Sequence, residues 1–193
     1  KHSSPKYKFE IIVIDNKSKD GSVEAIKSQY PNVKIIENNS NIGFSKAANQ
    51  GAKEAKGKFI LILNPDTIFQ EDSLYKLISF SNQHKNLAVV GPQLISELDV
   101  FQQSFWRKPT LLNTILGILH LDSLNYKKNY RDLIIDQEID VDTISGAVFF
   151  TQKNIFETLK GFNEDLFWME DIDYCIRAKK LNYKVYFFPR TKI

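Results

Sequence analysis

At 193 residues, 42% hydrophobic and 25% charged, the chain has the make-up of one soluble globular domain with a substantial core, not of a disordered or fibrous segment. Its net charge of +3 comes from bases scattered among acids, which leaves no basic tract for nucleic acid. The single cysteine, Cys175, excludes an internal disulfide and a cysteine-based zinc site, and reads as a helix filler suited to a reducing compartment.

In chain order, Phe9 to Ile14 reads as a strand that ends in Asp15, and Ser22 to Tyr30 as a helix followed by Pro31. Val33 to Ile36 is a short strand. A polar loop from Asn38 to Gly43 leads into a helix from Phe44 to Ala55, which Gly57 terminates. The next run, Phe59 to Leu63, is apolar throughout, as suits a strand covered on both faces. Pro65 lacks the N–H needed to continue the ladder, so Asp66 stands just past the strand's carboxyl end. In open α/β sheets that edge is where ligands bind. A helix near Ser73 to His84 and a strand from Leu87 to Val90 follow. The alternation predicts an α/β fold with a mostly parallel central sheet flanked by helices.

The stretch from Leu94 to Asp140 is less regular and sets Phe101, Phe105 and Trp106 beside Arg107-Lys108-Pro109. Thr110 is placed to cap a helix running to Leu121. Its broad apolar face either packs on the sheet or makes a peripheral contact, through residues 101–121, with a membrane or a lipid-linked acceptor. Thr143 to Thr151 reads as a strand containing Ser145-Gly146-Ala147. Gln152 to Lys160 and Asp171 to Leu181 read as helices, and Lys184 to Phe188 as a last strand. No apolar stretch reaches the roughly 18 residues of a membrane span, and no signal peptide opens the chain. The only methionine is Met169, so the sequence reads as a piece of a longer protein.

Acids recur at strand and loop ends: Asp15, Asp66 and the pair Glu170-Asp171. Each has a structural alternative. Asp15 and Asp20 suit turns and caps, Glu170 and Asp171 suit a helix N-terminus, and Asp173 with Arg177 suits a surface pair.

Taken in order, however, Val13-Ile14-Asp15-Asn16-Lys17-Ser18-Lys19-Asp20-Gly21-Ser22, Asn41-Ile42-Gly43-Phe44, Leu63-Asn64-Pro65-Asp66-Thr67, Ser145-Gly146-Ala147 and Phe167-Trp168-Met169-Glu170-Asp171-Ile172-Asp173 resemble the motifs of family 2 glycosyltransferases. The Asn-Pro-Asp-Thr form is most similar to the rhamnosyltransferase-type branch. The resemblance covers the chain from about Phe9 to its last residue. It implies a GT-A, Rossmann-like fold in one domain over residues 1–193, with a nucleotide-binding part at about 9–92 and an acceptor and catalytic part at about 93–193. Asp15 then matches the residue that reads the nucleotide base, with Asn16 beside it and Asp20 in the same loop. Asn41, Gly43 and Phe44 match the loop over the nucleotide, and Asn49 faces the same side. Asp66 matches the last acid of an Asp-x-Asp type motif that holds Mn2+ or Mg2+ on the diphosphate, with Asn64 in place of the first acid. Gly146 matches the small residue beside the donor sugar. Asp171 matches the catalytic base, and Glu170 is the second candidate. The implied partners are a nucleotide-sugar donor and a glycan or lipid-linked acceptor. The implied setting is bacterial surface polysaccharide assembly in the cytoplasm, at the inner face of a membrane.

Chemistry makes these roles reasonable. Inverting transfer needs a base for the acceptor hydroxyl and a cation for the departing diphosphate, and Mg2+ or Mn2+ is often held by only one or two carboxylates. A carboxylate near Phe167, Trp168 and Met169 is expected to have its pKa raised by desolvation. The family's first strand, central in its sheet, has no counterpart here, so the strand ending at Ile14 is expected to pair directly with Ile60 to Leu63. None of His2, His84 and His120 matches the family's late histidine. A dehydrogenase is disfavoured because no Gly-x-Gly-x-x-Gly occurs. The standing alternative is a non-catalytic nucleotide-sugar-binding or scaffold module.

Overall fold

The computed structural model describes residues 7–69, 72–96, 98, 100–106 and 137–193. The predicted helix from Thr110 to Leu121 lies outside them. The first half follows the hydrophobic pattern closely: β1 Ile12–Asp15, α1 Ser22–Gln29, β2 Lys34–Glu37, α2 Phe44–Glu54, β3 Phe59–Leu63, α3 Ser73–Gln83 and β4 Leu87–Ile95. The short strands β5 Phe101–Gln102, β6 Phe105–Trp106, β7 Ile139–Asp140 and β8 Thr143–Ile144 precede β9 Val148–Gln152. Helices α4 Lys153–Thr158 and α5 Glu170–Lys180 and the strand β10 Lys184–Lys192 complete the described chain.

The central sheet has the order β3-β9-β4-β10-β7, with β5 alongside β4. It is mixed. β4 and β10 run parallel, but β9 lies antiparallel between β3 and β4, so two strands that point the same way are separated by one that points back. The single strand expected from Thr143 to Thr151 is broken at Ser145 to Ala147. There the Ser145 N–H donates to the Ser104 carbonyl and the Gly146 N–H to the Asp171 carboxylate, which turns the chain out of its ladder.

Alternation along β9 and β10 divides the core into two layers. Phe149, Val185 and Phe187 face the side covered by α5 and α4, where Phe149, Phe156, Phe162 and Tyr174 form an aromatic cluster with ring centroids 5.0–5.8 Å apart. Phe150, Tyr186 and Phe188 face α3, against Leu77, Ile78 and Phe80. Cys175 is fully buried in the first layer, where burial pushes its thiol up to about 12. It is the helix filler the sequence suggests, not a reactive thiol.

The direct pairing expected between Ile11–Ile14 and Ile60–Leu63 is absent. Among the described residues β1 pairs only with β2, in parallel, while β3 pairs with β9, so the two strands belong to separate sheets. Two contacts hold β1 in place instead. Gly51 of α2 lies against the Ile14 side chain, and the Glu10 carboxylate accepts the N–H groups of Lys56 and Gly57 just before β3. Every residue of β1 is only half-buried, and Ile11 and Leu63 are exposed. An unpaired amide is expensive only when buried, and across β1 and β3 Ile60 alone is buried.

Where β4 crosses beneath β8, only a glycine fits. A methyl group at Gly91 would meet Cγ2 of the fully buried Ile144 at 2.3 Å, on a β-branched side chain with little freedom to move. Gly91→Ala is expected to destabilise the fold by about 1–3 kcal/mol. This would appear as a lower urea midpoint with an unchanged slope.

Candidate active site

The predicted residues fall into two groups, one at the carboxyl ends of the parallel strands β1 and β2, the other where the carboxyl end of β3 meets the start of the antiparallel β9. The first surrounds the ends of β1 and β2. Asp15 ends β1, and its carboxylate accepts the backbone N–H groups of Lys17 and Ser18 at 3.0–3.3 Å, an Asx turn that fixes the loop after the strand. Asn16 reaches across to the carbonyl of Gly43, and its own carbonyl oxygen accepts from Asn38, which also pairs with Gln50 of α2. Asn41 accepts the Gly43 N–H at 3.0 Å. Gly43 has φ 84 and ψ 166, a backbone state open to glycine and strained for other residues, and it starts α2 there. Asp20 stands apart from this network. It accepts the Ser22 hydroxyl and amide at the start of α1, and those bonds, the hydroxyl first, hold its carboxyl below its usual value.

The second group surrounds β3, β9 and the start of α5. Leu63 pairs with Val148, and one residue further the Asn64 N–H donates to the Ala147 carbonyl at 3.0 Å. The Thr67 hydroxyl closes the turn onto the Asn64 carbonyl at 2.7 Å. Asp66 projects from that turn, exposed, with no hydrogen-bond or ion-pair partner among the described residues. Next to Ala147, the Gly146 N–H donates to Asp171 Oδ2 at 2.7 Å, and the second carboxylate oxygen accepts the Ile172 N–H at 2.7 Å. A Cβ at Gly146 would stand 3.4 Å from that Oδ2, in ordinary van der Waals contact. Asn64, Ala147, Gly146 and Asp171 thus form one chain of contacts that sets the Asp66 turn and the start of α5 on the same edge.

Glu170 differs from its neighbour. Its Oε2 is buried without a hydrogen-bond partner among the described residues, and burial, helped by the charge of Asp171, pushes its carboxyl above the usual range. Phe167, Trp168 and Met169, just ahead of it, are exposed.

The two groups meet through α2 and the loop before α5. Asn49 does not face the first group. Its amide clamps the backbone of Phe162, accepting the N–H and donating to the carbonyl at 2.9 Å each, and donates to Glu164. Phe44 rests its ring 6.0 Å from that of Phe162. Arg177 is more than half of a surface pair: besides Asp173 at 2.7 Å it donates to the carbonyls of Leu159 and Gly161, tying α5 to the same loop. Sequence reading missed Asn38 and Gln50, the amide pair that joins the two loops. Their only signal was the polar run that follows β2 directly. No three acidic, histidine or cysteine side chains converge among the described residues, and Asp66 is the one unpartnered carboxylate at the strand-end turn.

A family model described as Glycosyl transferase family 2 matches residues 1–159. Among curated relatives, the N-acetylglucosaminyl-diphospho-decaprenol L-rhamnosyltransferase of Mycobacterium tuberculosis is 22% identical over 199 residues, an alignment that covers 95% of this chain. The chain spans about 65% of that relative's length. Among solved structures, GalNAc-T7 with UDP, GalNAc and Mn2+ superposes with a TM-score of 0.68 at 17% identity, over 95% of this chain and 37% of the other. S. aureus TarS 1-349 in complex with UDP superposes with a TM-score of 0.62 at 19% identity, over 96% and 51%. The structural neighbours share the GT-A fold, and the match of the family model across most of the sequence means that this chain belongs to glycosyl transferase family 2.

Proposed function

We propose that the protein moves a sugar, with inversion, from a nucleotide-sugar donor to a glycan or lipid-linked acceptor. The observation that carries the reading is the contact chain from Asn64 through Ala147 and Gly146 to Asp171, which aims an unpartnered carboxylate, Asp66, and a positioned one, Asp171, at the same edge. The names of the relatives support it: one is an N-acetylglucosaminyl-diphospho-decaprenol L-rhamnosyltransferase, and the GalNAc-T7 and TarS structures hold UDP.

In the proposed step, Asp171 takes the proton of the acceptor hydroxyl as that oxygen bonds the anomeric carbon of the donor sugar. The bond from that carbon to the diphosphate breaks, and its electron pair leaves on the diphosphate oxygen. Gly146 holds the carboxylate through its backbone N–H and puts no side chain into the space beside it. Asp15, Asn16, Asn41 and Gly43 line the loops where the nucleotide would lie. Asp66 fits a divalent cation, since it is exposed and unpartnered and its oxygens are hard ligands. Bound there, such a cation supplies charge neutralisation for the departing diphosphate. The proposal includes a site of action at the inner face of a membrane, where a lipid-linked acceptor would be anchored. Exposed Val100 and Phe101, with Lys192 lying over the Phe101 ring, are consistent with it.

Two outcomes check these roles. Nucleoside diphosphate binding, followed by calorimetry, should tighten with Mn2+ in the unaltered protein, and Asp66→Ala should remove most of that gain. Equal affinity in Mn2+ and in chelator would rule out the metal role. Asp171→Asn keeps an oxygen for the Gly146 N–H but loses basicity, so transfer should fall by about 10²–10⁴-fold while donor affinity stays within a few-fold. Full activity in Asp171→Asn together with loss in Glu170→Gln would move the base to Glu170.

A further inference from the structure

The segment between Phe162 and Glu170 presents its largest apolar side chains to water from a backbone held at both ends. Phe167 is 99% exposed, Trp168 77% and Met169 44%. Such a group at the end of a mobile tail would carry no meaning, but this loop is braced. Upstream, Asn49 grips both backbone groups of Phe162 and reaches Glu164, while Asn163 accepts the Asp165 N–H at 3.1 Å. Downstream, Met169 adopts φ 68, which is strained for a residue other than glycine, and its carbonyl accepts the Asp173 N–H at 2.9 Å. Asp171 is pinned to Gly146 in the same turn. The aromatics are therefore pre-positioned beside the site, and little ordering is needed when something binds them.

The charges around them narrow what that something is. From Gly161 to Ile176 the chain carries Glu164, Asp165, Glu170, Asp171 and Asp173 and no lysine, arginine or histidine. An anionic lipid surface attracts basic segments and repels this one. A sugar ring suits it well: the C–H groups on one face meet the electron-rich face of an aromatic ring, and the hydroxyls on its rim meet carboxylates. We propose that Phe167 and Trp168 form a stacking platform for a pyranose ring of the acceptor, set just ahead of the carboxylates that face the reacting hydroxyl. The platform rests on the transferase reading above for the identity of the ring as acceptor, and on exposure, bracing and charge for its existence.

Trp106 and Trp168 are the only tryptophans of the chain, so in Trp106→Phe the fluorescence reports on Trp168 alone. Acrylamide should quench it strongly. Methyl pyranosides of glucose, N-acetylglucosamine and rhamnose, raised through the millimolar range, should include at least one that protects it saturably. Phe167→Ala, at a fully exposed position that the fold does not need, should weaken that half-saturation by about tenfold. Failure of every pyranoside to protect Trp168 overturns the platform, as does protection that Phe167→Ala leaves unchanged. A blue shift with phosphatidylglycerol vesicles and none with pyranosides overturns it in favour of a lipid surface. Calorimetry with nucleoside diphosphates on the same protein reads the parent function separately. Absent diphosphate binding with intact pyranoside protection would end the transferase reading and leave the sugar platform standing.

Discussion

An aspartate in the first turn of a helix usually serves that helix, because its charge meets the unpaired amides and the positive end of the macrodipole. Asp171 does this with one oxygen, which accepts the Ile172 N–H, and uses the other to hold the Gly146 N–H of the strand end opposite. A charged acceptor makes such a bond about twice as strong as a neutral one. From there the register is inherited. Val148 pairs with Leu63, the Ala147 carbonyl takes the Asn64 N–H, and the Asp66 turn begins two residues on. A single contact between α5 and the break after β8 therefore sets where two carboxylates stand relative to the edge of the sheet.

The β1–β2 unit is attached differently. It shares no ladder with the central sheet, and α2 carries it: Gly51 packs on Ile14, and Asn49, two residues earlier in the same helix, grips Phe162. The amide network of Asn16, Asn38 and Gln50 then joins the loops after β1 and β2 into one surface. Neither of its strands has a buried residue, where β4 and β9 of the central sheet are buried almost throughout, so this unit has the lower density of apolar contacts and the lower local stability. The rigid half of the edge carries Gly146 and Asp171, and the looser half carries Asp15 and Asn41.

Much was legible in the sequence, for local reasons. Phe59 to Leu63 is apolar at every position and stops at a proline, so both the strand and the exposed acid beyond it follow from side-chain chemistry a few residues wide. The same holds for Gly43 at the start of α2, where the backbone angle demands a glycine, and for Cys175, whose neighbours mark a buried helix face. Spaced motifs in a fixed order carried the family, which the match over residues 1–159 shows.

Tertiary structure decided what depends on partners far along the chain. Asn49 is one turn or more from the nucleotide loop in sequence, yet its amide belongs to Phe162, 113 residues away, because only folding brings a matching N–H and carbonyl to it. Arg177 is spaced for a helical pair with Asp173, but its remaining donors reach carbonyls that the helix pattern cannot reveal. The antiparallel course of β9 and the separation of β1 from β3 also lie beyond local reading. Hydrophobic periodicity states which face a strand buries but not which neighbour its backbone amides meet, or in which direction that neighbour runs. The sequence thus determined the elements and the acids at their ends. The long-range hydrogen bonds determined which of those acids share an edge, since each such bond needs two groups that sequence distance keeps apart until the chain is packed.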